Sequence, residues 1–265
     1  MKVISLNAWG GIVYRPLLEF LKQEAKDTDV FCLQELLFGE TTVVGKAGER
    51  HNLSLEISEL LSDFRLYPMY APVGTQFQGQ SLGIRLGQGI FVRKGIEVID
   101  SGELRTYPPE SEIARTFAIT LTGNFNYVKI RYSNRDILIG NLHGLWQKEG
   151  KIDTAGRIEQ SRILGQFLDS VNIPVVLCGD FNLRPDTKSM SLLETRLRNL
   201  VKEYGVISTR SEFYKKPEKF ADYVLVSKDL KVEKFVVPEV SVSDHLPLCV
   251  NLKSDGDDGR QSLPI

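Results

Sequence analysis

Apolar residues along the chain recur with two periods, which predict strands alternating with helices. Short apolar runs at residues 2–6 and 30–34 indicate buried strands, whereas residues 17–26 and 53–61 carry apolar side chains at helical spacing. Further strands are predicted at 89–94, 96–100, 114–121, 127–132, 136–143, 174–178, 221–226, 232–237 and 248–252, and further helices at 157–170 and 191–201. Many strands with helices between them predict an α/β protein with two packed sheets flanked by helices.

One domain is expected to account for nearly the whole chain. No Pro- or Ser-rich linker and no internal repeat divides residues 1–254, so we predict a single domain there. The tail at 255–265 has few core-forming residues, and we expect it to be disordered. The segment at 71–89 is rich in Gly and Gln, which predicts a long, mobile surface loop that faces the substrate.

Composition narrows the class of protein. The 42% apolar and 25% charged residues are ordinary globular values, which exclude a disordered or collagen-like chain. The 33 Lys and Arg balance 34 Asp and Glu, and a net charge of -1 argues against a protein that coats nucleic acid by bulk electrostatics. The net charge does not exclude a local basic patch on the surface.

The same sequence favours a cytoplasmic monomer that does not insert stably into membranes. No stretch approaches the ~18 consecutive apolar residues of a membrane span. The N-terminus lacks the charged start and long apolar middle of a signal peptide. Cys32, Cys178 and Cys249 lie in apolar runs, so we expect buried, reduced thiols.

Acidic, amide and histidine residues recur at the ends of apolar strands. They are Asn7, Glu35, His143, Asp180, Asn182, Asp222, Asp244 and His245. Any one of them is typical of a turn or a helix cap. If the strand ends converge, however, Glu35, Asp180 and Asp244 repel one another and require a cation or a proton. Carboxylate and amide oxygens suit magnesium or manganese, whereas zinc would call for Cys pairs or clustered His.

Six strings of residues carry a family resemblance. In chain order they are ISLNAWG, FCLQE, GNLHGLW, CGDFNLRP, ADYVLVS and SDHLPL. Together they resemble the endonuclease/exonuclease/phosphatase superfamily, the DNase I-like proteins, from Val3 to Leu252. The resemblance implies a four-layer α/β/β/α sandwich of two mixed sheets, with the active site on one edge.

The resemblance also implies which residues hold the metal. Glu35 matches the metal-binding Glu of the QE motif, and Asp244 of the SDH string matches a second metal ligand. Asn7 matches the Asn of the first strand, which helps to ligate the metal or its waters. The implied cofactor is Mg²⁺ or Mn²⁺, and the spacing leaves open whether one ion or two are bound.

The remaining motif positions match catalytic residues. Asp180 matches the residue that positions or deprotonates the attacking water, and Asn182 the one that contacts the phosphate or metal. His245 matches the catalytic histidine, which Asp222 orients by a hydrogen bond. His143 matches a second histidine that contacts a phosphate oxygen. The identity of the general base stays open.

Residues outside these positions are more ambiguous. Arg115 could reach a phosphate or be an ordinary surface arginine. Trp9 and Trp146 each lie close to a motif residue, where they serve as packing at the rim or as a platform for a base or lipid. The lysines at 215, 216 and 219 form a solvated loop or contact a phosphate backbone. His51 is expected on the exposed surface.

The sequence therefore predicts a magnesium-dependent enzyme that hydrolyses a phosphodiester. Nucleic acid is the favoured substrate, through endonuclease, exonuclease or tyrosyl-DNA phosphodiesterase-like action. The 71–89 segment and the lysines favour it, and the NLRP string after GDF resembles the form found in tyrosyl-DNA phosphodiesterases. The alternative is a neutral sphingomyelinase-like or other small-molecule or lipid phosphodiesterase, because the NAWGG string resembles neutral sphingomyelinases and the net charge is near zero. A binding module without catalysis is a remote third reading, because competent residues fill every motif position.

Overall fold

Two six-stranded sheets form the framework of the computed structural model, which describes residues 1–71, 84–106 and 123–253. The first sheet contains, in spatial order, β11 (Val232–Val236), β12 (Leu248–Leu252), β1 (Lys2–Asn7), β2 (Val30–Phe38), β4 (Arg85–Arg93) and β3 (Phe64–Tyr70). The second contains β5 (Glu97–Arg105), β6 (Asn124–Tyr132), β7 (Arg135–His143), β8 (Val175–Asp180), β10 (Asp222–Ser227) and β9 (Leu197–Asn199). Each sheet is mixed, because β1 pairs with β2 and β7 with β8 in parallel while their other neighbours run antiparallel.

Helices cover the outer faces of both sheets. They are α1 (Tyr14–Glu24), α2 (Leu53–Leu60), α3 (Ala155–Asp169), α4 (Lys188–Glu194) and the short α5 (Leu200–Glu203). Alternation along β2 shows the layers: Phe31 packs in the cluster shared with α1 and α2, whereas Cys32 packs in the cluster between the sheets. The predicted α/β/β/α sandwich is thus confirmed.

Two sequence predictions about secondary structure are wrong. The helix expected at 191–201 is interrupted, because Leu197–Asn199 pairs with β10 as β9 and the Asn199 side chain then caps α5. Residues 85–89 of the expected 71–89 loop belong to β4. Glycine fits that strand for packing reasons, since a Cβ at Gly87 would lie 2.3 Å from the Met69 carbonyl oxygen.

The remaining predictions from the sequence have different outcomes. Residues 72–83, the predicted strand at 114–121 with Arg115, and the tail at 255–265 lie outside the described residues. His51 is buried rather than exposed, because the segment at 39–52 folds back so that the His51 carbonyl accepts the Gly39 N–H at 2.7 Å. The three cysteines are buried and unpaired, as expected. No helix among the described residues has the length and apolar character needed to cross a membrane.

A buried polar cluster on β2, β4, β6 and β7 joins the two sheets. Gln34 Nε2 of β2 donates to Asn141 Oδ1 of β7 at 2.6 Å. Gln88 Nε2 of β4 donates to Asn126 Oδ1 at 2.8 Å and to the Asn141 carbonyl at 2.8 Å. Asn141 Nδ2 returns two longer bonds, to the carbonyls of Leu33 and Gly89, at 3.3 Å each. Gln34 Oε1 and Gln88 Oε1 find no partner among the described residues, but the directional bonds made by the two amide nitrogens fix the relative position of the sheets more specifically than apolar contacts do.

Asn141→Ala should destabilise the protein by about 2–3 kcal/mol, because it leaves the Gln34 amide and two strand carbonyls buried without this partner. Urea unfolding measures the change. Asn172→Ala, at an exposed position, is the matched control and should stay within about 0.5 kcal/mol. Equal destabilisation by the two substitutions would contradict a role for Asn141 in joining the sheets.

Candidate active site

The strand ends bring most of the predicted site residues to one edge of the sandwich. In the second sheet, His143, Asp180 and Asp222 stand side by side, because His143 pairs with Asp180 across β7 and β8, and Asp180 pairs with Asp222 across β8 and β10. Since β10 runs antiparallel to β8, its first residue lies at the same edge as the last residue of β8. Asn7 ends β1 of the facing sheet.

Glu35 reaches this edge through an irregularity in β2. The pairing with β4 shifts between Leu33 and Leu36, and Glu35 between them has a φ of 54°. A β-bulge of this kind changes the direction of a side chain within a strand. As a result Glu35 is 30% exposed, while its neighbour Gln34 stays in the buried polar cluster.

Asn7 connects the carboxylates of the two sheets. Its Nδ2 donates to Glu35 Oε1 at 2.9 Å and to Asp180 Oδ2 at 3.2 Å, and its Oδ1 accepts the Trp9 N–H at 2.9 Å. The backbone bond at Oδ1 fixes the amide orientation. In this arrangement Asn7 positions two carboxylates, and the second lone pair of Oδ1 stays available for a metal or for one of its waters.

The ring of His245 lies against the Asp222 carboxylate. Its Nδ1 lies 2.8 Å and 2.9 Å from the two Asp222 carboxylate oxygens, and Thr209 Oγ1 donates to Asp222 Oδ2 at 3.0 Å. Its Nε2 lies 3.7 Å from Asp180 Oδ2 and 3.7 Å from Asp244 Oδ1. Burial and the Arg210 guanidinium lower the pKa of His245, but Asp222, Asp244 and Asp180 outweigh them and raise it above its usual value.

Asp180 lies at the centre of the site. Its Oδ1 accepts the Asn182 N–H at 2.8 Å. Burial alone would raise the pKa of Asp180, but the charges of Lys151, His245, Arg210 and His143 dominate, so its pKa lies far below the usual range. Asp180 is therefore an ionised hydrogen-bond acceptor across the physiological pH range.

Asn182 follows Asp180 in a left-handed backbone conformation, with a φ of 56°. Its Nδ2 donates to the Gly144 carbonyl at 2.8 Å, and its Oδ1 accepts a short hydrogen bond from Lys151 Nζ. Both ends of the amide are thus held by the segment that follows β7. Asn tolerates this backbone conformation better than most residues.

Two buried cations complete the site, and sequence reasoning missed both. Burial lowers the pKa of Lys151. Arg210 Nη1 makes a short hydrogen bond to His245 Nε2, and its guanidinium lies over the Tyr214 ring at 4.1 Å. Burial opposes the charge of Arg210, yet Asp222, Asp180 and Asp244 raise its pKa. Both residues come from irregular segments, where the strand-end pattern that identified the carboxylates does not apply.

Asp244 lies beside these groups and is partly shielded from solvent. Arg210 Nη1 lies 3.7 Å from Asp244 Oδ2. Burial is the largest cause that raises the pKa of Asp244, and the negative charges of Glu35 and Asp180 add to it, against the opposing charges of His245 and Arg210. A carboxyl with this surplus of negative neighbours gains from an additional cation.

An open cleft of about 760 Å³ exposes the site. Glu35, His143, Asp180, Asn182, Asp244 and His245 line it, together with Lys151 and Arg210. Trp9, Trp146, Lys215 and Lys216 line the same cleft, so these four ambiguous residues lie beside the predicted site. Lys219 contributes through its backbone, where its carbonyl accepts the Thr209 N–H at 2.8 Å.

The sequence matches the Endonuclease/Exonuclease/phosphatase family over residues 4–245. The protein belongs to this family. No curated protein sequence matches it significantly.

Solved structures share the fold at low sequence identity. A mannosyl-6-phosphatase from Bacteroides thetaiotaomicron VPI-5482 is 16% identical, with a TM-score of 0.70 over 96% of this chain and 100% of that one. A family protein from Leptotrichia buccalis C-1013-b is 17% identical, with a TM-score of 0.68 over 96% and 100%. TDP2 from D. rerio, complexed with single-strand DNA product, is 13% identical, with a TM-score of 0.66 over 96% and 99%. Membership of the family supports a phosphoesterase, and these structures support the fold.

The donor set of this family member suits a hard divalent cation. Glu35, His143 and Asp180 each offer one atom within 4.8 Å of the others, and Asp180, Asp222 and His245 do the same. Glu35 and Asp180 share one amide donor on Asn7, which places two carboxylates close together. Mostly oxygen ligands, one of them partly exposed to the cleft, fit magnesium or manganese.

Asp222→Asn should lower the pKa of His245, because it removes the carboxylate that favours the imidazolium 2.8 Å from Nδ1. NMR titration of the histidine ring measures the shift. Asp100→Asn, on an exposed part of β5, should leave the titration unchanged. An unaltered His245 titration in Asp222→Asn would show that the carboxylate does not control this ring.

Proposed function

We propose that the protein is a divalent-metal-dependent phosphodiesterase that acts on nucleic acid. One observation carries the proposal: the Asp222–His245 pair faces the ionised Asp180 with 3.7 Å between His245 Nε2 and Asp180 Oδ2, beside Glu35 and His143. An acceptor for water next to an oriented imidazole, within a group of metal-binding donors, is suited to hydrolysis of a phosphoester.

Glu35 and Asp244 would hold the metal at the edge of the sheets, as the motifs predict, which leaves Asp180 to orient the attacking water. When bound, Mg²⁺ or Mn²⁺ supplies Lewis-acid polarisation of the phosphoryl group and stabilises charge on the leaving oxygen. The side chains of the protein orient the attacking water and transfer the protons.

Asp180 and His245 divide the proton chemistry according to their pKa shifts. The lowered pKa of Asp180 keeps it ionised, so it can orient the attacking water by accepting a hydrogen bond. Arg210 Nη1 can only donate, so in the free site His245 Nε2 accepts its hydrogen bond while the proton on Nδ1 faces Asp222. When a phosphoryl oxygen takes the Arg210 donor, Nε2 can be protonated, which the raised pKa of His245 favours, and the imidazolium then donates to a phosphoryl oxygen. The water oxygen then bonds to phosphorus and gives up one proton to Asp180 or to solvent, while the bond from phosphorus to the ester oxygen breaks. The departing oxygen keeps the electron pair of that bond and takes a proton from the His245 imidazolium.

Lys151 and Arg210 prepare the groups around the phosphate. Lys151 Nζ fixes the Asn182 amide so that Asn182 has one orientation, and Arg210 adds positive charge next to His245. Fixed donors and charges aimed at a developing negative charge are a major source of catalysis.

Two further lysines support a nucleic-acid substrate. Lys215 and Lys216 line the cleft close to the carboxylate cluster, although the chain as a whole has a net charge of -1. A local pair of lysines suits the repeating phosphates of a strand. Ile12, Leu37 and Leu86 also line the cleft and favour a second candidate, a small or lipid phosphodiester with an apolar group.

A substrate panel assayed with Mg²⁺ tests the proposal. The panel contains single- and double-stranded DNA, RNA, 5′-tyrosyl DNA, sphingomyelin and a sugar phosphate. Hydrolysis of a nucleic-acid substrate at the highest kcat/KM supports the proposal, whereas a lead for sphingomyelin supports the second candidate. No hydrolysis of any phosphodiester would overturn both.

Chelation with EDTA should abolish the hydrolysis, and added Mg²⁺ or Mn²⁺ should restore it. Glu35→Gln should raise the magnesium midpoint, which is the Mg²⁺ concentration that gives half-maximal activity. The substitution removes an anionic oxygen ligand while it keeps the side-chain size. Calorimetric titration of Mg²⁺ measures the affinity without turnover. Glu59→Gln, on the exposed face of α2, is the control and should leave the midpoint unchanged.

Lys151→Met should move the acidic limb of the kcat/KM profile to higher pH. Lys151 is the leading charge that lowers the pKa of Asp180, so its removal raises that pKa and protonates Asp180 over a wider acidic range. Lys148→Met removes an exposed lysine from the same segment and should leave the profile in place. A shift in the opposite direction, or none, would contradict the role of Lys151.

A further inference from the structure

Both tryptophans of the chain line the cleft that holds the candidate active site. Trp9 follows Asn7 by two positions and Trp146 follows His143 by three, so each indole is carried by the segment that leaves a site residue. An indole offers a large flat apolar face, which is suited to stacking on a planar ligand.

The backbone at Trp9 is held in an uncommon conformation. Of the four non-glycine residues with positive φ among those described, Trp9 (48°), Glu35 (54°) and Asn182 (56°) line the cleft, and only Ser133 lies elsewhere. A bulky residue rarely adopts this conformation, and strain of this kind concentrates at binding sites. The bond from the Trp9 N–H to Asn7 Oδ1 and the turn bond from Ile12 N to the Trp9 carbonyl hold it in place.

Trp146 is exposed, yet its segment is anchored on both sides. Its side chain is 39% exposed although it lies among buried site residues. The fully buried Arg157 donates from Nε to the Leu145 carbonyl at 3.1 Å and from Nη1 to the Ile152 carbonyl at 2.6 Å. The indole is therefore presented to the cleft from a fixed backbone, which reduces the entropy lost when a ligand binds.

The lysines and indoles of the cleft together favour one class of ligand. Lys215 and Lys216 line it together with the two indoles, and a combination of cations with aromatic faces is suited to a single strand, whose phosphates meet the cations and whose bases stack on the rings. In a duplex the base faces are already covered by neighbouring bases, so the indoles have no free face to contact. A lipid tail offers no planar group.

From these observations we infer that Trp9 and Trp146 form a stacking site for the bases of single-stranded nucleic acid next to the scissile phosphate. The inference rests on the proposed function. It adds that the substrate is single-stranded and that the two indoles contact its bases. The two indoles select the substrate through its bases, while the carboxylate and histidine groups act on its phosphate.

Intrinsic fluorescence tests the inference directly, because the only two fluorescent indoles of the chain are the two residues concerned. The protein in EDTA, where no turnover is expected, is titrated with a single-stranded DNA octamer, an abasic octamer of the same backbone, and a duplex. The single strand should quench the fluorescence and bind about tenfold or more tightly than the abasic strand or the duplex, as expected for one stacked base.

Single-tryptophan variants separate the contributions. Trp9→Phe leaves the Trp146 signal and Trp146→Phe leaves the Trp9 signal, and both signals should be quenched. Trp9→Leu and Trp146→Leu should each reduce the preference for the base-bearing strand over the abasic strand. These substitutions keep the backbone N–H of residue 9, and so the bond to Asn7. Tyr204→Ala, at a 44% exposed aromatic outside this cleft, should leave the binding preference and the hydrolysis unchanged.

Equal affinity for the octamer, the abasic strand and the duplex, or an unaltered preference in both leucine variants, would overturn the inference. A sugar phosphate or sphingomyelin that quenches more strongly than the octamer would overturn it as well. Loss of stacking with retained metal-dependent hydrolysis of the strand rejects only the inference, whereas absence of any phosphodiester hydrolysis rejects the proposed function.

Discussion

Burial of like charge at one edge of the sandwich is the constraint on which the site depends. Glu35, Asp180, Asp222 and Asp244 come from four separate segments and meet where water is partly excluded. Carboxylates taken out of water repel one another and tend to protonate. Asp180 nevertheless stays ionised, because Lys151, Arg210 and the histidines surround it. The ionisation of the groups at this edge thus depends on a balance of opposite charges.

That balance requires the two sheets to be held in register at this edge. The Gln34–Asn141 bond lies one residue from Glu35 on β2 and two residues from His143 on β7, so it fixes both strands immediately behind the site. Asn7 then joins Glu35 of one sheet to Asp180 of the other. Apolar packing between the sheets could tolerate small sliding, whereas these directional bonds restrict it.

Asp180 and Asp222 could be predicted from the sequence because one ends and the other begins an apolar strand, and strand ends are recognisable locally. Glu35 differs, because β2 continues to Phe38 and a bulge within the strand turns its side chain to the edge. Lys151 and Arg210 could not be predicted in this way, because their position depends on the path of irregular segments that no hydrophobic period records. Gly87 misled the loop prediction for a related reason: the close approach of the Met69 carbonyl, rather than a turn, requires glycine there. The break before β9 likewise depends on pairing with β10, which is a tertiary contact.

The missed cations change the electrostatics that the motifs alone suggest. The motif residues by themselves bring four carboxylates together at one edge, an arrangement that would repel any anion. Lys151 and Arg210 match two of these charges inside the protein, and the remaining negative charge is the amount that one divalent cation would neutralise, before the histidines are counted. Lys215 and Lys216 add further positive charge to the lining of the cleft. An anionic substrate can approach this acidic edge because positive charge is built into the loops around it.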